Sequence, residues 1–371
     1  MTFHGLTGAA LAVALLTGPA AADLRVATWN VDGVQKTPEA LAENAQVMLG
    51  DVGRLDILVI QEVINSDQVA AVAEATGLRH WAISDFSPPV SITGFAFRSL
   101  EVAVLSRVPI EQAVEWDTTG WEVSGDGHPP RVSNPNAMAE ELPPPISLTG
   151  PRPARGFLRT TLADGLIVYA VHWTSSRGEV CETADLENAT LRELQAEGLV
   201  VDARPLLDAG LSILVAGDFN VGALGSGLHP GMNLDEDCRP VNGSCERVCG
   251  PEALDGYDDS VALLQQLDRS AELLSDGLGD TFIADDAADG ALDHILVAGP
   301  LAATFERAAT VQTQDIEYAG SDRVPVFARS TAVLAAPPSR VTELMELRAL
   351  VEEMLLRLDR LEQMGDDGPS E

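Results

Sequence analysis

From Leu24 onward the chain alternates short apolar runs with amphipathic stretches. LRVATWNV (24–31), LDILVIQEV (55–63), VAVLSRVPI (102–110), LIVYAVHWT (166–174), LSILVAGDFN (211–220) and ALDHILVAG (291–299) read as strands, because apolar residues fill them with little interruption. PEALAENAQVMLGDV (38–52), SDQVAAVAEATG (66–77) and residues 186–207 space their apolar positions three and four apart, which predicts helices. Many strands with helices between only some of them imply a layered α/β domain.

Two stretches interrupt this rhythm. Residues 122–153 are rich in Pro, Gly, Ser and Asn, and predict a long surface loop. Residues 222–259 carry three cysteines and the acids Asp235, Asp237, Asp255, Asp258 and Asp259. Oxygen donors on that scale suit a structural Ca²⁺, although their spacing matches no known calcium loop; a stapled, solvated loop is the alternative.

Beyond Pro337-Pro338 the pattern changes. Leu344, Leu347, Val351, Met354, Leu358 and Leu361 recur at alternating steps of three and four, the seam of a heptad repeat. A helix over 341–364 is expected to form a coiled coil joining copies of the chain, with 337–340 as linker and 365–371 as an acidic tail. Folding back on its own domain is the competing outcome for such a short seam. At the other end, an apolar stretch around Leu11–Leu16 runs into Ala20-Ala21-Ala22, which predicts a signal peptide over 1–22 and a periplasmic or secreted domain over 23–336. No later apolar run is long enough to span a membrane.

Export makes the four cysteines legible. Cys181, Cys238, Cys245 and Cys249 are even in number, which in an oxidising compartment favours two disulfides. The pairing stays open, and zinc is disfavoured because no CxxC pair is present. The formal net charge of −34 repels polyanions and argues against broad, sequence-independent binding of duplex DNA. It does not exclude a nuclease, because a bound cation neutralises phosphate locally.

The candidate chemistry sits at strand ends. Asn30 closes ATWN, Glu62 lies in IQEV, His172 in YAVHWTS, Asp218 and Asn220 in GDFN, Asp293 in LDHILV, and Asp322 in GSDRVPV. Polar groups at the ends of otherwise apolar strands mark a shared rim. In an extended chain Asp218 and Asn220 share a face and can converge on one ligand; an Asx turn is the other reading of the same triple. A lone buried carboxylate at Glu62 is costly without a partner.

In this order the strings resemble the endonuclease/exonuclease/phosphatase superfamily, from about Leu24 to Leu334. The resemblance implies a four-layered α/β sandwich, two packed mixed β-sheets flanked by helices, and hydrolysis of phosphate esters with Mg²⁺ or Mn²⁺. It implies Glu62 as principal metal ligand, with Asn30 and Asp322 beside it. His172, Asp218, Asn220 and Asp293 are the implied catalytic set, with Asn220 also contacting phosphate, and Glu101 the residue expected to orient His172. Arg155 is expected on a phosphate oxygen, a surface ion pair being its alternative. VAVLSRVPI and RGFLRTTL also look like family strands. The substrate implied is a phosphate ester, DNA or RNA among the options.

One position departs from the pattern. The family's last motif reads Ser-Asp-His, whereas this chain has Ser321-Asp322-Arg323. Arginine cannot shuttle a proton but can hold a phosphate through its planar fork. His294 follows Asp293 in a strand and is expected to face away. The chain is therefore expected either to hydrolyse phosphate esters with Arg323 paired to Asp293, or to be an impaired member that serves binding or assembly.

Overall fold

This computed structural model describes residues 23–87, 90–95, 99–116, 128–143, 155–175, 183–222, 258–282, 291–310 and 321–331. The expected signal peptide, the four cysteines, most of the acidic loop with its Ca²⁺ and the coiled coil lie outside them.

In chain order the elements are β1 (Leu24–Asn30), α1 (Pro38–Val52), β2 (Ile57–Val63), α2 (Ser66–Thr76), β3 (His80–Ile83), α3 (Val90–Thr93), β4 (Glu101–Ser106), β5 (Ile110–Trp116), β6 (Arg131–Val132), β7 (Met138–Leu142), β8 (Phe157–Leu162), β9 (Ile167–His172), α4 (Thr183–Asp208), β10 (Ile213–Asp218), α5 (Ser260–Gln265), β11 (Glu272–Leu273), β12 (Asp293–Ala298), β13 (Ala309–Thr310) and β14 (Val326–Ser330). The described residues build two mixed seven-stranded sheets, one in the order β13-β14-β1-β2-β4-β3-β6 and the other β11-β12-β10-β9-β8-β5-β7.

Strand alternation explains how the layers stack. Val26, Ile57, Val59, Val102 and Val104 of the first sheet meet Leu158, Val168, Ala170, Leu214, Ala216, Ile295 and Val297 of the second. The intervening residues of the first sheet, among them Ala27, Trp29, Leu58 and Ile60, pack on Leu41, Ala45 and Met48 of α1 and Val69 and Val72 of α2. Ile167, Tyr169, Val215 and Leu296 of the second sheet pack on Ala196, Leu199 and Ala203 of α4 and Val261 and Leu264 of α5. Burying both faces of each sheet is why these strands read as nearly continuous apolar runs.

Two expectations are corrected. VAVLSRVPI is not one strand: it breaks after Ser106, and Ile110 starts β5 in the opposite sheet. Pro109 has no N–H for a sheet ladder, so the chain turns there and crosses between layers. The stretch 122–153 is also more than a loop. Within its described part β6 extends one sheet beside β3, and β7 lies parallel to β5 at the edge of the other.

Candidate active site

Register brings three polar residues into a row on the inner face of the second sheet. Asp218 pairs across β9 with His172 and across β12 with Asp293. Side chains directly opposite in a ladder share a face, so the row lies where the inner apolar stripes of β9, β10 and β12 end. Asn30 ends the equivalent stripe of β1, which faces it from the first sheet.

Glu62 arrives by a different route. Regular alternation in β2 would send it to the helix side with Leu58 and Ile60. The β2–β4 register shifts between Gln61 and Val63, and Glu62 adopts φ +64°. This bulge, left-handed at a residue with a side chain, swings the carboxylate to the inner rim. Backbone strain at this half-buried acid points to a position held for its chemistry.

The side chains then interlock. Asn30 Nδ2 donates to Glu62 Oε1 at 2.9 Å and to Asp218 Oδ2 at 3.0 Å. Its Oδ1 accepts from the backbone N–H of Asp32 at 3.1 Å, which fixes the amide orientation. Asn30 therefore bridges two carboxylates through its amide nitrogen, which has no lone pair for a cation. His172 Nε2 stands 3.6 Å from Glu62 Oε1 and 3.8 Å from Asp218 Oδ2. Burial, reinforced by the positive charges of Arg155 and Arg323, holds the imidazole well below its usual pKa, so it is neutral. Burial likewise raises the Glu62 carboxyl, against the Asn30 hydrogen bond.

Arg323 closes the other side. Its Nη2 lies 2.9 Å from Asp218 Oδ2 and its Nη1 3.5 Å from Asp293 Oδ2, while the guanidinium stacks 4.5 Å from the Phe282 ring centroid. Burial, with the charge of Asp218, pushes Asp293 up to about 8 against the pull of Arg323. Ser321 Oγ donates to the Asn30 carbonyl at 2.7 Å and accepts from Arg323 N at 3.1 Å, tying this segment to β1.

Other expected residues fall differently. Asn220 leaves the strand at φ +54°, and its backbone N–H donates to Asp218 Oδ1 at 2.9 Å. The GDFN triple is thus the Asx turn, and the extended, converging geometry is corrected. Asn220 Nδ2 donates to the Trp173 carbonyl at 3.0 Å, as does Arg155 Nη1 at 3.2 Å. Asp322 is exposed beside the cluster. Glu101 is corrected as the orienting residue: its carboxylate accepts from Ser84 Oγ at 2.5 Å and Ser87 N at 2.9 Å, and His172 Nδ1 has no hydrogen-bond partner among the described residues. His294 faces away, as alternation requires, with Nε2 2.9 Å from the Val221 carbonyl and Nδ1 2.8 Å from Ser275 Oγ. Thr281 and Phe282 escaped the sequence reading. Thr281 Oγ1 accepts from Leu292 N and Asp293 N at 2.9 and 3.1 Å, fixing the start of β12, yet neither residue stands out in the local pattern.

The donor set fits a divalent cation. Among the described residues Glu62, His172 and Asp218 each offer a ligand atom within 4.8 Å of the others, and their two hard oxygens and neutral imidazole form a set that such ions accept.

The model of the Endonuclease/Exonuclease/phosphatase family matches residues 27–322. The chain belongs to this family. Its members hydrolyse phosphate esters with divalent metals, and this chain is a hydrolase acting on phosphate esters. The architecture is similar to that of an AP endonuclease from Archaeoglobus fulgidus, with 16% identity, 83% of this chain and 100% of that one covered, and a TM-score of 0.51. An endonuclease/exonuclease/phosphatase from Beutenbergia cavernae gives 17% identity, 83% and 71% coverage and a TM-score of 0.48. A 3'-5' exonuclease from Neisseria meningitidis gives 16%, 83% and 99%, and 0.49. No curated protein matches the sequence. No described helix is long and apolar enough to cross a membrane.

Proposed function

We propose that this family member is a Mg²⁺- or Mn²⁺-dependent phosphodiesterase of nuclease type. The convergence of Glu62, His172 and Asp218 from two sheets onto one point is the observation that carries the reading. Glu62 is the principal ligand, with Asp218 beside it and the exposed Asp322 able to approach from the rim, while His172 keeps its Nε2 lone pair for proton exchange. The bound cation would supply charge neutralisation for the phosphoryl oxygens and a more acidic water.

The chain's own residues do the rest. Both Asp218 oxygens already accept hydrogen bonds, Oδ1 from Asn220 N and Oδ2 from Asn30, with Arg323 alongside. Asp218 is therefore better suited to fixing charge and geometry than to taking a proton. The neutral His172 exchanges a proton at Nε2, the atom that faces the carboxylates. Arg155, whose charge is felt by both Glu62 and His172, is placed to grip a phosphate oxygen. Arg323 holds Asp218 and Asp293 in place of the histidine of the Ser-Asp-His pattern.

The same proposal includes export through residues 1–22 and self-association through 341–364. Export suggests an external substrate, with nucleic acid first. The test is hydrolysis of bis-(p-nitrophenyl) phosphate and of plasmid DNA with Mg²⁺ or Mn²⁺. Glu62→Ala and Asp218→Ala are expected to abolish turnover, and His172→Gln to lower it by roughly 100- to 10,000-fold. The arginine at position 323 favours a second reading, a binding protein that has lost activity. Failure of every ester and metal tried would favour that one.

A further inference from the structure

Arg323 is seated more firmly than a surface arginine. It is buried, its guanidinium lies on the Phe282 ring, and its backbone pairs with that of Phe282 across an isolated bridge. The adjacent Val324 N donates to the Thr281 carbonyl at 2.8 Å. The guanidinium thus has one address, between Asp218 Oδ2 and Asp293 Oδ2. A cation bridging Asp218 and Asp293 through those oxygens would meet a charge that never deprotonates. Like charges at such separation repel strongly where water is excluded. On the side toward Glu62 and His172 the neutral Asn30 amide bridges the two carboxylates, and the positive charge of Arg155 is felt there while its Nη1 donates to the Trp173 carbonyl.

We propose that Arg323 is a built-in cation standing in for a second metal ion, so that the site takes a single divalent ion on its Glu62–His172 side. This rests on the metal-dependent reading above. It makes Arg323 a positioning residue: it keeps Asp218 and Asp293 apart and charge-compensated before any ion arrives. It also predicts that a smaller or neutral side chain at 323 opens a second site between them.

The test is a Mn²⁺ titration of the full chain without substrate, counting bound ions by the electron paramagnetic resonance signal of free Mn²⁺. Counts are read as differences from wild type, because the acidic surface adds weak background binding. Glu62→Ala is expected to lower the count by one, and Arg323→Ala and Arg323→His to raise it by one each. An unchanged count in both Arg323 variants would overturn the proposal and leave the metal-dependent reading standing. If Glu62→Ala leaves the count unchanged, that reading falls as well. Should the Arg323 variants unfold without metal, melting replaces counting. Added Mn²⁺ is then expected to raise their Tm by several degrees more than that of wild type, and an equal rise would refute the inference.

Discussion

Two buried histidines show how residue type alone fails to distinguish chemistry from architecture. His172 points to the inner rim and has carboxylates before it, whereas His294 points outward, between Ser275 and the Val221 carbonyl, with its ring against Phe219. Burial lowers the His294 pKa from 6.5 to about 4. Because the carbonyl must accept, Nε2 carries the proton and Nδ1 accepts from the serine hydroxyl. The folded state thus holds His294 neutral while the unfolded chain protonates it near its ordinary pKa. Stability from this group is fully present above pH 6.5 and is lost as pH falls toward 4. The loss is roughly 3 kcal/mol over that window. Urea unfolding in the presence of chelator is expected to show it as a difference between wild type and His294→Asn, whose amide can serve both neighbours without titrating. Parallel pH profiles for the two proteins would contradict the assignment. Asp293 titrates in the opposite sense, since its raised pKa weakens the fold as pH rises toward 8, so the comparison with the variant is essential.

At the scale of elements, glycine marks where the site's strands must touch. Gly217 has φ +154°, and a Cβ there would lie 1.9 Å from the Val171 carbonyl oxygen. It does not turn the chain at the strand end; it lets β10 lie against β9, one residue before the Asp218–His172 pair. Gly217→Ala is expected to cost about 2–4 kcal/mol and to weaken Mn²⁺ binding, by wedging those strands apart. Gly50→Ala in α1, where a Cβ meets nothing within 4 Å, is the control and is expected to raise stability by about 0.5–1 kcal/mol. Thermal melts separate the two, and a similar Tm for both variants would reject the close-approach argument. This contrast also shows what the sequence could convey. Period placed α1 over its observed span and α2 to within one residue of its end, and their position at the ends of apolar strands marked His172, Asp218 and Asp293 as sharing a rim. A bulge has no periodic signature, so Glu62 was legible as an acid in an apolar run but not as a residue turned by φ +64°. β6 and β7 were hidden because short edge strands draw their stability from partners far along the chain, β3 and β5, not from their own residues. Glu101 misled for a related reason: its place at the start of β4 looked suitable, but its partners come from the segment after β3.

The molecule as a whole carries its excess negative charge into every encounter with a polyanion. A nuclease with a basic face loses affinity for DNA as salt rises, because binding releases counterions from the DNA into solution and that release gains less the more salt is already there. Here the formal charge of −34 reverses the long-range term. At about 0.01 M salt the Debye length is about 30 Å, so a duplex approaching the rim feels repulsion from most of the surface; at about 0.1 M it shrinks to about 10 Å. Within that distance the substrate senses the bound cation, Arg155 and Arg323 more than the distant acids. Cleavage of plasmid DNA below saturation is therefore expected to accelerate several-fold between those salt concentrations, at constant Mn²⁺ well above its Kd. Hydrolysis of bis-(p-nitrophenyl) phosphate, with a single charge, should change by less than twofold over the same range. The prediction separates surface from site, since screening acts on long-range approach far more than on contacts within a few ångströms. A rate on DNA that falls with salt while the small ester is unaffected would mean that a basic surface greets the substrate, and the acidic balance would then carry no information about the partner.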